Sequence, residues 1–283
     1  MLVPPRHVIE ELVQRALVED IGFGDLTSDA IVGRDARASG QIIARASGVI
    51  AGLPVAEAVF HSVDPEIRFE PQVADGARVE NGDCIATLDG PARGILTAER
   101  VALNFLQQLS GVATLTREIV DSIQGTPAQL LDTRKTVPGL RTLQRYAVRV
   151  GGGANHRFNL FDGVLIKENH ITVAGGITAA VERARVATGP MTVIEVEVET
   201  FEQLDEAIAA GADMILLDNM TPGQLRQAVT LAAGQVTLEA SGDISKESAR
   251  AVAETGVDYF SSGALTHSAR ALNLSLLLNP VSD

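Results

Sequence analysis

The 283-residue sequence predicts a two-part α/β protein, in which a small α+β domain leads into an α/β barrel. Six short apolar segments, each ending in a polar or charged residue, are the first reason. They are Leu130-Leu131-Asp132, Val164-Leu165-Ile166-Lys167, Ile194-Glu195-Val196-Glu197, Ile215-Leu216-Leu217-Asp218, Thr237-Leu238-Glu239 and Tyr259-Phe260-Ser261. The last four terminal residues are spaced 21, 21 and 22 apart, with helical segments such as Phe201 to Ala210 between them. Repeated βα units of that period make a parallel sheet with crossover helices. The third reason is a change of texture. From Ala38 to Leu96 the chain alternates in short segments broken by glycine-containing turns, the pattern of hairpins.

Each element has its own justification. Val8, Ile9, Leu12, Val13, Ala16 and Leu17 share one helical face, and Gly22 and Gly24 stop that helix. Gln41 to Arg45 and Ile67 to Glu70 read as strands, with turns at Ala74-Asp75-Gly76 and Glu80-Asn81-Gly82-Asp83. Thr97 is expected to cap a long helix carrying Val101, Phe105, Leu109 and Val112, which links the two domains. The expected division is an N-terminal domain over residues 1–108 and a barrel over 109–269, with the apolar tail over 270–283 packing back on the first domain. Inside the barrel, Pro138-Gly139 opens a helix that buries Leu140, Leu143, Ala147 and Val150. Arg141, Arg145 and Arg149 form a separate stripe whose plainer reading is a solvated face. Six strands favour a closed barrel.

Composition narrows the function. With 36 acidic residues against 23 Lys/Arg the net charge is −13, which argues against a nucleic-acid backbone as partner. The lone cysteine, Cys84, fits a reducing cytosol, and its plain reading is a small buried apolar residue. No apolar run approaches a membrane span, and the acidic N-terminus is no signal peptide, so a soluble cytoplasmic protein is expected. Against that acidic background, Asp132 to His170 holds seven Lys/Arg (Arg134, Lys135, Arg141, Arg145, Arg149, Arg157, Lys167) and three acids. That island is +4, leaving −17 elsewhere, and it contains two of the chain's three lysines. A cationic island in an acidic chain points to a small polyanionic ligand.

The chemistry should sit at the C-terminal ends of the strands, where α/β barrels build their sites. Arg134 and Lys135 follow the first strand; arginine offers a planar fork for carboxylate or phosphate, lysine a mobile point charge. Gly151-Gly152-Gly153 lets backbone approach closely and leads into Asn155-His156-Arg157, a second set of donors. A purely structural His156 is the alternative. Lys167 ends a strand and could form a Schiff base or neutralise anionic substrate. Glu197 and Asp218 end neighbouring strands and could hold ribose hydroxyls, bind Mg²⁺ through water and stabilise a cationic sugar. Glu195 shares the face of Glu197, so the pattern leaves open which of them contacts substrate. Ser241-Gly242-Asp243 and Gly263-Ala264, with His267 just beyond, follow the last two strands, where barrels commonly cradle a phosphate.

With these residues in place the sequence resembles the quinolinate phosphoribosyltransferases (nicotinate-nucleotide pyrophosphorylases, carboxylating). The matching stretches include LLDTRKTVPGLR, YAVRVGGGANHRFNLFDGVLIKENHI, IEVEVE, MILLDN, LEASGDI and SSGALTHSA, together with ALVEDIGFGDLTS and TAERVALNFLQQLSGVAT nearer the start. The resemblance implies an N-terminal α/β sandwich followed by an incomplete, roughly seven-stranded α/β barrel. It implies a pentosyltransferase of NAD biosynthesis, which moves phosphoribose from phosphoribosyl pyrophosphate to quinolinate with decarboxylation, using Mg²⁺. Quinolinate would be held by Thr133, Arg134, Lys135, His156, Arg157 and Lys167, with Arg100 donated across a homodimer or a hexamer of such dimers. Glu197 and Asp218 would serve phosphoribosyl pyrophosphate and Mg²⁺, with Lys135 and Lys167 shared between the substrates and all four catalytic. Ser241, Gly242, Asp243, Gly263 and Ala264 would bind the 5′-phosphate, with His267 near it. Asp243 stands where glycine or asparagine is more usual, Arg145 where lysine is common, and Asn273 where aspartate is common.

Other readings share some of these residues. A Schiff-base lyase would use Lys167; a paralogue of the molybdenum-transport-associated type would take another acceptor; a sugar-phosphate sensor would bind without turnover. Asn155-His156-Arg157 and Lys167-Glu168-Asn169-His170 favour the quinolinate enzyme over the paralogue.

Overall fold

A computed structural model describes residues 3–280. In chain order the elements begin with α1 (Arg6–Ile21), α2 (Leu26–Ile31), β1 (Arg37–Ala44), β2 (Gly48–Val49), α3 (Leu53–Val63), β3 (Arg68–Pro71), β4 (Arg78–Val79), β5 (Cys84–Pro91) and α4 (Ala92–Ser122). There follow β6 (Gln129–Leu131), α5 (Arg141–Gly151), β7 (Val164–Ile166), α6 (Glu168–Ala174), α7 (Ile177–Ala187), β8 (Ile194–Val198) and α8 (Phe201–Ala209). The chain ends with β9 (Met214–Asp218), α9 (Pro222–Ala232), β10 (Thr237–Ser241), α10 (Lys246–Ala253), β11 (Tyr259–Ser261), α11 (Ala264–His267) and β12 (Leu274–Pro280).

Within the described residues two compact units form, one from 3–117, 137–152 and 269–280, the other from 118–136 and 153–268. The division differs from the expected one at 108/109, which falls inside α4, and residues 137–152 group with the N-terminal part. Close packing explains this. A Cβ on Gly151 would lie 2.5 Å from Thr116 Cβ and 2.6 Å from the Ala113 carbonyl, so α5 sits hard against α4. The Tyr146 hydroxyl also donates to Asp75 at 2.7 Å.

In the first unit a four-stranded sheet runs in the order β12-β1-β5-β3. β1 alternates strictly between more and less buried positions, as a strand with one covered face should. The apolar tail forms β12 and pairs antiparallel with β1, Ile42 opposite Leu276. Ile42, Phe60, Ile85 and Ile95 are fully buried, and the Phe60 and Phe69 rings stack at 5.8 Å. Asp75 accepts from the Gly52 and Leu53 amides at the start of α3. Thr97 does not cap α4. That helix starts directly after Pro91, and the Thr97 hydroxyl donates instead to Asp25, the residue that caps α2.

The second unit is a six-stranded sheet in the order β6-β11-β10-β9-β8-β7, with every pair parallel. All six apolar segments are therefore strands. The sheet is open, as an incomplete barrel should be and not closed as six strands alone suggested; among the described residues it has six strands, with β6 and β7 at its edges. On the free side of β6 stands a single parallel bridge, Leu131 with Ala154. The chain there is pulled away after a few residues, because the Asp162 carboxylate gathers the Phe158 and Asn159 amides into a turn. Threonine caps with a glutamine three residues on start α8 at Thr200 and α9 at Thr221, which fixes where each helix leaves its loop.

Candidate active site

The strand ends of the second unit surround a cavity of about 790 Å³. Of the residues expected from sequence, Thr133, Arg134, Lys135, His156, Arg157, Lys167, Glu197, Asp218, Ser241, Gly242, Asp243, Gly263, Ala264 and His267 all line it. Arg100 does not; it is an exposed residue of α4 in the other unit.

The cation wall is built from β6 and the segment bridged to it. Asp132, fully buried at the end of β6, accepts from the His156 amide at 2.9 Å and from Asn155 Nδ2 at 2.6 Å. Together with the Ala154-to-Leu130 backbone bond this fixes the path of residues 154–157. Arg157 Nη1 donates to the Gly163 carbonyl at 2.8 Å. Burial and the neighbouring Arg134 both lower the Arg157 pKa, so two guanidiniums converge in spite of their repulsion. Lys135 is held through its backbone, its amide donating to Thr133 Oγ1 and its carbonyl accepting from Thr266 Oγ1. Its aliphatic stem crosses Gly263, where a Cβ would stand 2.8 Å from Lys135 Cδ and 3.0 Å from His267 Nε2.

The opposite wall is acidic. Glu197 on β8 pairs with Lys167, which follows β7. Burial, then the facing Glu197, raises the Asp218 carboxyl above its ordinary value, with Lys167 opposing. Asn219 takes a left-handed backbone (φ 55°) and donates through Nδ2 to Asp218 Oδ2 at 2.7 Å. Gly242 has φ 110°, and a Cβ there would fall 2.3 Å from Asn219 Oδ1, so only glycine fits. Asp243 follows with φ 44°, a strained setting for a residue with a side chain.

Three features were not assigned by sequence. Asp132 is the organiser of the 154–157 segment, and Asn219 orients Asp218. The third is a buried cluster in which His156 Nε2 lies 3.0 Å from Glu195 Oε2 and 3.4 Å from Glu239 Oε2. Glu195 is thereby separated from Glu197: it does not line the cavity, whereas Glu197 does. The arginine stripe of α5 is outside the cavity lining, and Arg145 is buried where a solvated face was the plainer expectation. Strand ends carrying Asp132 and Glu239 and the Asn after Asp218 were the available signals.

The arrangement pairs a polyanion-binding wall with a wall able to face hydroxyls, a cation or a developing positive charge. Family comparison decides what that combination is. The profile for the quinolinate phosphoribosyl transferase N-terminal domain matches residues 25–110, and that for the C-terminal domain matches 112–277. The chain belongs to the quinolinate phosphoribosyltransferase family. A probable nicotinate-nucleotide pyrophosphorylase [carboxylating] of Bacillus subtilis is 46% identical over 95% of this chain and 92% of its own. The corresponding enzyme of Mycobacterium leprae is also 46% identical, over 94% of this chain and 95% of its own. Among solved structures, a nicotinate-nucleotide pyrophosphorylase from Francisella tularensis superposes with a TM-score of 0.94 at 43% identity, covering 98% of each chain. Streptococcus pyogenes NadC superposes at 0.96 and 41% identity over 100% of each chain. As a quinolinate phosphoribosyltransferase family member, the chain keeps the family's two-part mixed α/β fold.

Proposed function

We infer that the chain is a pentosyltransferase joining phosphoribosyl pyrophosphate to quinolinate, with release of pyrophosphate and CO₂ to give nicotinate mononucleotide for NAD biosynthesis. One observation carries the reading: Arg134, Lys135, Arg157 and Lys167 share a cavity with Glu197 and Asp218, and Arg134 is near enough to Arg157 to disfavour its charge. Like charges brought together on one wall suit a ligand with more than one negative group.

On this reading the acceptor's two carboxylates lie against Thr133, Arg134, Lys135, His156, Arg157 and Lys167. The donor's 5′-phosphate lies in the loops Ser241-Gly242-Asp243 and Gly263-Ala264, near His267. Lys135 and Lys167 stand between the two and offset the charge of both. Glu197 and Asp218 face the ribose. As pyrophosphate departs, the sugar gains oxocarbenium character, which these carboxylates stabilise; the ring nitrogen then attacks the anomeric carbon. As CO₂ leaves, the electron pair of the adjacent carbon–carboxylate bond stays on that ring carbon as an ylide stabilised by the neighbouring pyridinium nitrogen, and the carbon then takes a proton from water to give nicotinate mononucleotide. That sequence calls for positioning and a preorganised field more than for proton transfer.

Mg²⁺ fits the acidic wall, because the facing Glu197 raises the cost of ionising Asp218 and a cation would relieve it. Held there through water, it would offset the charge of the leaving pyrophosphate. Arg100, exposed on α4, is taken to complete the acceptor site of a second subunit in a homodimer. Among the described residues no helix is long and apolar enough to cross a membrane, which accords with a cytoplasmic enzyme.

The discriminating experiment compares quinolinate with nicotinate in pyrophosphate release dependent on phosphoribosyl pyrophosphate. Quinolinate is expected to be used and nicotinate poorly, since one carboxylate leaves cations unpaired. Efficient use of nicotinate, or turnover trapped on Lys167 by borohydride, would overturn the reading.

A further inference from the structure

The quinolinate reading, on which this inference rests, gives no role to the carboxylates behind His156. His156 has its Nε2 3.0 Å from Glu195 Oε2 and 3.4 Å from Glu239 Oε2, and the two glutamate side chains are 4% and 0% exposed. Nδ1 accepts from the Arg157 amide at 2.7 Å, and the His156 amide donates to Asp132 at 2.9 Å. The ring is therefore held at both nitrogens, and its backbone is held as well. Burying two carboxylates against one imidazole edge is expensive, and an apolar pair of similar volume would cost less. The cost here is not relieved elsewhere: among the described residues both oxygens of Glu239 and Oε1 of Glu195 are buried without a hydrogen bond. Such a cluster is explained by what it does to His156, whose ring lines the cavity with Arg157 and, beneath it, the buried Glu239.

Strand geometry divides the labour. Glu195 and Glu197 stand two residues apart on one face of β8, Glu195 turned to His156 and Glu197 to Lys167. We propose that Glu195 and Glu239 are positioning residues for the acceptor half of the site, holding the His156 ring in one orientation against which quinolinate docks. Two effects bear on the proton. Burial lowers the His156 pKa, but the neighbouring carboxylates of Glu195 and Glu239 outweigh it and push it up to about 10. The amide aimed at Nδ1 opposes protonation there, so Nε2, facing the glutamates, carries a proton whichever charge the ring holds.

The test is a kinetic split between the substrates. Glu195→Ala and Glu239→Ala are expected to raise the KM for quinolinate about tenfold while that for phosphoribosyl pyrophosphate stays within about twofold. Glu195→Gln and Glu239→Gln, whose amide oxygens still accept from Nε2, are expected to restore the quinolinate KM. An equal rise in both KM values, a fall in kcat alone, or no rescue by glutamine would overturn the proposal. If the alanine variants do not fold, ¹⁵N-histidine spectra of the wild-type enzyme decide: quinolinate should leave Nε2 protonated and bonded inside the protein. A change of tautomer on quinolinate binding would overturn it, as would a stoichiometric transition metal lost in Glu239→Gln, since Nε2 would then be a ligand. Failure of wild type to bind quinolinate at all would instead remove the functional reading beneath it.

Discussion

Arg157 shows how much one side chain can carry. Its guanidinium is partly desolvated, lies close to Arg134, and still spends one donor on the Gly163 carbonyl. A ligand carboxylate arriving there gains a bidentate partner and relieves the repulsion between the two arginines. Arg157→Ala or Arg134→Ala should therefore weaken quinolinate binding by about 2–4 kcal/mol, read by calorimetry. Wild-type affinity in either variant would contradict the site. Asp218 gives a pH signature. Its carboxyl is raised by burial and then by Glu197, so the folded chain takes up this proton more readily than the unfolded one. The sign follows: stability from this group is greatest below pH 3.8 and is lost as the pH rises through the raised value. Urea unfolding across that range should show wild type losing stability relative to Asp218→Asn as pH increases. At this scale the sequence pointed to Arg134 and Asp218 by strand ends and to Arg157 by the glycine triplet that leads into Asn155-His156-Arg157. It left Glu195 and Glu197 unresolved because alternation puts both on one face, and only the position of His156 separates them.

Among the elements, the loop after β10 is the most demanding. Gly242 has no room for a Cβ beside Asn219, and the two residues that flank this contact, Asn219 and Asp243, both hold positive φ. Gly242→Ala is expected to cost more than about 1 kcal/mol of stability and to displace Asn219 from Asp218, with loss of turnover. Asp243→Gly should act in the other direction. It relieves a left-handed backbone at φ 44°, offset by the looser unfolded chain that glycine brings, and removes an acid from the proposed phosphate cradle, so the KM for phosphoribosyl pyrophosphate should fall. An unchanged KM would mean that the 5′-phosphate does not sit there. The six strands were legible because each is an apolar run ending in a polar residue. The start of α4 was not, because Thr97 has the chemistry of a cap but is engaged by Asp25, a partner 72 residues away. Contacts of that range leave no local trace in the text of a chain.

For the whole molecule, the βα period announced the parallel sheet, and the cationic island announced its ligand. Strand count alone suggested closure, and only the family resemblance implied the incomplete barrel that is found, with β6 and β7 at the edges and a single Leu131–Ala154 bridge beside β6. The return of 137–152 to the N-terminal unit could not be read, since it depends on Gly151 meeting Thr116 and Ala113 at close range. The island was also only half of the site: four cations in the cavity wall are matched by Glu197, Asp218, Glu239 and Asp243 from strands far along the chain. That polarity is what a reaction between two polyanions through a cationic sugar requires. The most direct measurement supplies quinolinate labelled at the 2-carboxylate with phosphoribosyl pyrophosphate and Mg²⁺, following nicotinate mononucleotide by mass spectrometry and labelled CO₂ as gas. The account predicts unlabelled nicotinate mononucleotide and labelled CO₂ in equal amounts. Quinolinate binding without either product would contradict it.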